Sequence, residues 1–333
     1  MSAPSPSMYS PAAKKMAEKL GLKMGRANLD EFAATLQKLA EGNRNVLAVT
    51  SDSRGSGKLA PYGKALPNQI VEVGIAEQNL VGVAAGLASC GKTTFAVSPA
   101  CFLTARSLEQ IKNDVAYSDN PVTLVGISAG VSYGALGSTH HSLHDFAVLR
   151  AINNLLVVAP ADNFEAREAV KAAAAAKRPV YLRFGKAPLY DLPAAQPFAF
   201  GKARVLHEGM DVAFIATGET VVHALLAAAF LEETAHRRCR VISMPTVKPL
   251  DNEAVLQAAR DCEAVITVEE HMVNGGLGEA VASVLAQSGV PLNFRIVGIP
   301  DEYTVTGSQA DIFRHYGLSM EGLADTALKL LRR

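Results

Sequence analysis

Glu77 stands where an apolar run turns through Gly74 into a helical pattern, Ile70-Val-Glu-Val-Gly-Ile-Ala-Glu-Gln-Asn-Leu-Val-Gly-Val-Ala-Ala-Gly. At that place a carboxylate would face the crevice where open α/β sheets gather ligands, beyond the carboxyl ends of their strands. The competing reading is an acid that only complements the helix dipole, and on position alone it is the commoner one. Gly82 and Gly86 would let this helix approach a neighbour closely. His140 lies in Ser138-Thr-His-His-Ser-Leu-His-Asp, a Gly- and Ser-bearing loop after a strand, where an imidazole can meet hydroxyls and exchange protons near neutral pH. His141 and His144 beside it would suggest a metal, but no Asp, Glu or Cys cluster completes a site, so no metal is expected on this chain. Gly275-Gly-Leu-Gly lacks the Lys-Ser/Thr of a phosphate loop and reads as a packing turn, while Glu269, Glu270 and His271 form an acid/base cluster on paper.

The elements that must position these groups follow from alternating periodicities. Helical patterns at 29–41, 76–89, 103–116 and 164–176 separate β-rich runs at 46–50, 69–73, 93–97, 122–127, 155–158 and 180–183. A second alternation has strands at 212–217, 240–243, 264–269 and 292–296, with helices at 220–233, 252–259 and 277–287. Such alternation predicts an α/β fold of two consecutive parallel-sheet domains. The expected boundaries are a flexible N-terminal lead-in over 1–25, a first domain over 26–185, a Pro-bearing linker over 186–204 and a second domain over 205–333.

Composition excludes several classes. Hydrophobic residues are 49% and charged residues 19% of 333, which suits closed cores and not a disordered chain. Lys+Arg 32 balances Asp+Glu 32, leaving no net field for nucleic acid or anionic lipid. No apolar run approaches the roughly 20 residues of a membrane span. Four cysteines without C-x-x-C spacing predict buried thiols in a reducing, cytoplasmic setting.

Gly74-Ile-Ala-Glu-Gln with Gly82 and Gly86 resembles the pyrimidine-domain signature of thiamine diphosphate enzymes, and from Arg26 onward the chain resembles the C-terminal half of transketolase. Phe102-Leu-Thr-Ala-Arg-Ser-Leu-Glu-Gln-Ile, Gly137-Ser-Thr-His-His, Ala159-Pro-Ala-Asp, Tyr181-Leu-Arg-Phe-Gly and Val268-Glu-Glu-His followed by Gly275-Gly-Leu-Gly carry the likeness in register. It extends to small subunits of split transketolases, including those acting on branched sugar phosphates such as apulose 4-phosphate.

The resemblance implies that Glu77 hydrogen-bonds N1′ of the thiamine aminopyrimidine and promotes the imino tautomer that activates the thiazolium. It implies cofactor contacts at Gly74, Ile75 and Phe102, a substrate role for His140, and phosphate contacts at Arg183, Ser56 and Arg26, with Arg54 as an outside candidate. From the residues alone, the Ser-Arg-Gly-Ser-Gly stretch reads equally well as an ordinary turn. Glu269, Glu270 and His271 fall in the domain that supports the dimer and are expected to be structural.

Typical members place aromatics three residues before and after Phe102, where this chain has Pro99 and Ala105. Their substrate-facing aspartate is Leu136 here and a phosphate-contacting histidine is Ser128, which predicts a departure from classical xylulose 5-phosphate chemistry. No Gly-Asp-Gly occurs, so the diphosphate and Mg²⁺ contacts are expected from a separate N-terminal subunit, in a two-plus-two heterotetramer self-associating through its dimer core. The implied activity is transfer of a two-carbon ketol unit between sugar phosphates. The alternatives are the β subunit of a 2-oxo acid dehydrogenase and a non-catalytic scaffold.

Overall fold

The computed structural model describes residues 7–193, 196–290 and 293–332. Its largest sheet has seven strands in the order Thr246–Lys248, Leu156–Val158, Val180–Phe184, Val122–Ile127, Thr93–Pro99, Val46–Thr50, Ile70–Glu72. All pairings in it are parallel except the one made by Thr246–Lys248. Val46–Thr50, Val122–Ile127 and Val180–Phe184 are buried end to end, which is why they read as continuous runs and not as alternation. A second sheet orders Asn293–Ile299, Ala264–Met272, Val212–Ala216, Cys239–Ser243 and Arg204–His207, the last antiparallel. Among the described residues no helix is long and apolar enough to cross a membrane.

The N-terminal segment corrects the expectation of a flexible lead-in over 1–25, of which residues 1–6 lie outside the described residues. Ser10 caps a helix, Pro11–Lys19, that buries Ala13, Met16 and Ala17 in the core of the second domain. Met24–Ala27 then pairs antiparallel with Pro188–Tyr190, inside the stretch expected to be a linker. The helix is nine residues long, too short to stand alone, so its order comes from the face it buries. The helical pattern expected at 103–116 is broken into Ala100–Arg106, Leu108–Gln110 and a π-helical turn, Ile111–Tyr117. The strand expected to begin at 292 is described from Asn293.

The two domains meet through buried charges. Arg183 donates from Nε to Asp145 (2.8 Å) and through one Nη to the carbonyls of Ser142 (3.2 Å) and Glu270 (2.7 Å). Tyr181 adds its hydroxyl to the same Asp145 oxygen at 2.7 Å. Glu270 accepts from the Val131 amide and from Gln309, both at 2.8 Å. Glu269 accepts from the amides of Leu277 (2.7 Å) and Gly278 (2.8 Å), filling donors left free at the start of helix Leu277–Ser288. Gly275-Gly-Leu-Gly is therefore a packing turn, since a Cβ at Gly276 would meet the Glu269 carboxylate at 1.9 Å. A second buried pair, Arg204 with Glu165 at 2.7 Å, joins the domains elsewhere.

Burial, with Glu270 beside it, pushes the Glu219 carboxyl up to about 8. It sits against Gly185, where a Cβ would come within 2.2 Å of its oxygen. The folded chain thus keeps a proton that the unfolded chain releases near 4.5. That stability is full below 4.5 and is lost as pH rises toward 8, because the unfolded state binds fewer protons throughout that window. Glu219→Gln removes the titration, so its melting temperature should fall less than the wild type's between pH 6 and 8.5. Parallel melting curves across that range would refute the assignment.

Candidate active site

Five neighbouring parallel strands end on one edge of the large sheet, and all of them but Val46–Thr50 deliver a side chain of the candidate site past their carboxyl ends. After Ile70–Glu72 the chain turns through Gly74, whose φ of +72° favours glycine, and enters helix Glu77–Ser89 at Glu77 itself. The turn is fastened by Glu72, which accepts from the Thr50 hydroxyl (2.8 Å) and the amides of Asp52 (2.6 Å) and Gly74 (3.1 Å). Burial opposes ionisation of Glu72, but these donors and Arg54 outweigh it and hold the carboxyl below its ordinary value. Ile75 is 73% exposed at the tip of this turn, and Glu77 behind it only 4%.

Strand Thr93–Pro99 leads into helix Ala100–Arg106, which carries Phe102 and Arg106 one turn apart. Arg106 donates to both Glu77 oxygens, at 3.0 and 3.1 Å, and its guanidinium lies 4.4 Å from the centre of the Phe102 ring. Past strand Val122–Ile127 the loop brings His140 edge-on to Phe102, with ring centres 5.4 Å apart, and edge-on to Tyr133 at the same distance. The Thr139 hydroxyl lies 3.0 Å from His140 Nδ1. Past strand Val180–Phe184, Lys186 places its ammonium 4.8 Å from the centre of the Tyr133 ring. Burial and the charge of nearby Lys58 lower its pKa. Lys186 also borders a cavity of about 860 Å³ lined by Tyr9, Met24, Gly134 and Gln309.

Glu77, Phe102 and His140, separated by up to 63 positions in the chain, are thus brought into one row with Gly74 and Ile75 at its end. Ser56 lies in the loop after Val46–Thr50, its hydroxyl donating to the Ser53 carbonyl at 3.2 Å. Arg26 does not join the row: its guanidinium is committed to Glu31, with Nε at 2.8 Å. Arg183, expected on phosphate, is corrected by the structure. It is 6% exposed, and its bonds go to Asp145 and backbone carbonyls at the domain junction. The free cation on that strand end is Lys186, for which no carboxylate lies within ion-pair distance among the described residues.

Sequence reasoning missed Lys186, Tyr133 and Arg106. Two signals pointed to them: Lys186 is the first charged residue after a buried strand, and Arg106 follows Phe102 at helical i+4 spacing. His141 is a packing residue, bonded to the Thr304 hydroxyl (2.6 Å) and the Gly134 carbonyl (2.9 Å), and His144 meets the Thr104 hydroxyl at 3.1 Å. Glu269, Glu270 and His271 are buried at the domain junction. Of the replaced polar positions, Leu136 is 55% exposed and Ser128 is buried.

A row of this kind, with a buried carboxylate, an aromatic platform, an imidazole and an ammonium, can hold a flat heterocycle at one end and an anion at the other. Comparison with known proteins shows the family. The transketolase pyrimidine binding domain model matches residues 26–190, and the transketolase C-terminal domain model matches 201–323. One of the subunits of apulose-4-phosphate transketolase from Phocaeicola vulgatus is 48% identical over 91% of this chain and 96% of its own length. The corresponding apulose-4-phosphate transketolase chain from Actinobacillus succinogenes is 39% identical, over 86% and 92%. A solved split gene transketolase, described as an inactive beta4 tetramer, matches with a TM-score of 0.82 and 35% identity, over 92% of this chain and 99% of that one.

Proposed function

The chain belongs to the transketolase family, and on that premise we propose that it is the small subunit of a split transketolase, moving a two-carbon ketol unit from a ketose phosphate to an aldose. The observation that carries this reading is the row Glu77, Phe102, His140, Tyr133, Lys186 along one edge of the large sheet.

The residues present fit the aminopyrimidine of thiamine diphosphate. Glu77 is a buried carboxylate able to bond a ring nitrogen, and Phe102 offers a ring beside it. Bound there, the cofactor supplies a thiazolium that stabilises carbanions. Glu77 holds the proton at N1′, a charge-assisted contact strengthened by its dry surroundings. His140 exchanges protons with substrate hydroxyls, and Lys186, with Lys58 and Ser56 on the facing loop, receives the substrate phosphate. Leu136 gives the site a less polar wall than an aspartate would, and Pro99 and Ala105 leave Phe102 without two further aromatic rings beside it. Diphosphate and Mg²⁺ contacts are assigned to an N-terminal partner subunit, since this chain has no Gly-Asp-Gly. Self-association would complete a two-plus-two assembly.

The names of the relatives direct the substrate search to short ketose phosphates, with apulose 4-phosphate first. Reconstituted with its N-terminal partner, the chain should catalyse ketol transfer from such a donor. Lys186→Met in that complex should raise KM for the phosphorylated donor about 10- to 100-fold, the loss expected of one charge-assisted contact, with kcat nearly unchanged. No ketol transfer with any ketose phosphate would refute the function, and an unchanged KM would refute the role of Lys186.

A further inference from the structure

We infer that Arg106 stands in the place of the cofactor's aminopyrimidine, and that thiamine diphosphate enters only as Arg106 swings out. The inference rests on the reading of Glu77 and Phe102 given above. A guanidinium and an aminopyrimidine are both flat, conjugated and edged with nitrogen donors. Arg106 uses those properties together: it donates to both oxygens of Glu77 at 3.0 and 3.1 Å while lying 4.4 Å from the Phe102 centroid. One planar group therefore already spans the distance between the carboxylate and the ring. A heterocycle that bonds Glu77 and stacks on Phe102 needs the same oxygens and the same gap, so the two cannot be seated together.

Local structure explains why the arginine is there. Phe102 and Arg106 are four residues apart in helix Ala100–Arg106, and a long helical side chain leans back over the preceding turn, here onto the phenyl ring. From that position the guanidinium reaches the start of the neighbouring helix, where Glu77 is otherwise a buried carboxylate without a partner. An unpaired buried charge is costly, so the contact stabilises the cofactor-free chain. The contact is also releasable. The Arg106 side chain is 50% exposed against 5% for Glu77, and among the described residues Arg106 makes no other hydrogen bond. Swinging outward returns the guanidinium to water, and the cofactor takes over the carboxylate.

In this arrangement the apparent affinity for cofactor is the intrinsic affinity multiplied by the fraction of molecules with Arg106 out. Arg106→Met keeps the length and apolar stem and removes the competitor. Calorimetric titration of thiamine diphosphate with Mg²⁺ into the complex of this chain with its N-terminal partner should give binding about three- to tenfold tighter for Arg106→Met than for wild type. The cofactor-free chain carrying the same substitution should melt about one to a few degrees lower, because Glu77 loses its partner. Arg106→Lys, which keeps the charge without the flat face, should fall between the two in affinity. Weaker or unchanged binding by Arg106→Met would overturn the inference, since an arginine that stays to support the bound cofactor gives that result. Absence of binding in every protein, wild type included, would overturn the reading of the site and this inference with it.

Discussion

Glu77→Gln in the assembled enzyme should lower kcat by about 10²- to 10⁴-fold, the range in which a positioned acid/base group contributes. Glutamine keeps the shape and a hydrogen bond but holds no charge with which to stabilise a proton at N1′. The expected loss is large because Glu77 is 4% exposed, so no water stands ready to substitute for the carboxylate. In the proposed function the contact belongs to the chemical step, so kcat and kcat/KM should fall together while KM for the sugar stays close to wild type. Light scattering must show the complex intact for the comparison to count. Unchanged turnover in an intact complex would mean that this chain is a scaffold, and that the row of side chains beside Glu77 is a relic of the fold.

Arg183→Met should have the largest effect on stability, about 3–5 kcal/mol, as expected when one member of a buried ion pair is removed and the other is left charged. Asp145 is fully buried and, once Arg183 is gone, keeps the Tyr181 hydroxyl as its one side-chain hydrogen-bond donor among the described residues, with His271 Nε2 3.8 Å from its other oxygen. Burial pushes the Asp145 carboxyl up, but the charge of Arg183, with the hydrogen bonds from Arg183 and Tyr181, outweighs that and holds it below its ordinary value of 3.8. A carboxyl lowered on folding contributes stability that is present above its unfolded pKa and lost as pH falls through the folded one. The gap between wild type and Arg183→Met should therefore be widest near neutral pH and should narrow below about pH 4. Replacing Asp145 by Asn in the same chain should recover part of the loss, the non-additivity that marks a direct pair. If Arg183 instead bound substrate phosphate, its replacement would raise KM and leave the melting curve in place.

The two arginine outcomes show how far local reasoning reaches. A strand of apolar residues followed by a polar one announces a strand end, and the run reads as ending at Arg183, one residue short of Phe184. Which of its cations faces the crevice is not legible there. Arg183 lies within the strand and points to the domain junction, where Asp145 and the Glu270 carbonyl wait 38 and 87 residues away in the chain. Lys186 lies two residues past the strand, beyond the pleat, and reaches the row. The same limit explains helix Pro11–Lys19: its nine residues carry a weak signal, and only the core of the second domain gives the buried face a reason to order.

By itself the sequence determined the two α/β layers, because periodicity is local and buried parallel strands must be apolar throughout. It also placed Glu77 at a helix start behind a glycine turn, because that geometry is written in consecutive residues. Tertiary structure alone decided that Thr246–Lys248 leaves its own domain to pair with Leu156–Val158, that Arg183 locks the domains together, and that Arg106 holds Glu77. Each of these is a pairing between groups on different elements. A charge shows in the sequence, but the partner that satisfies it is chosen by which elements pack, and that choice is made by the whole buried surface at once.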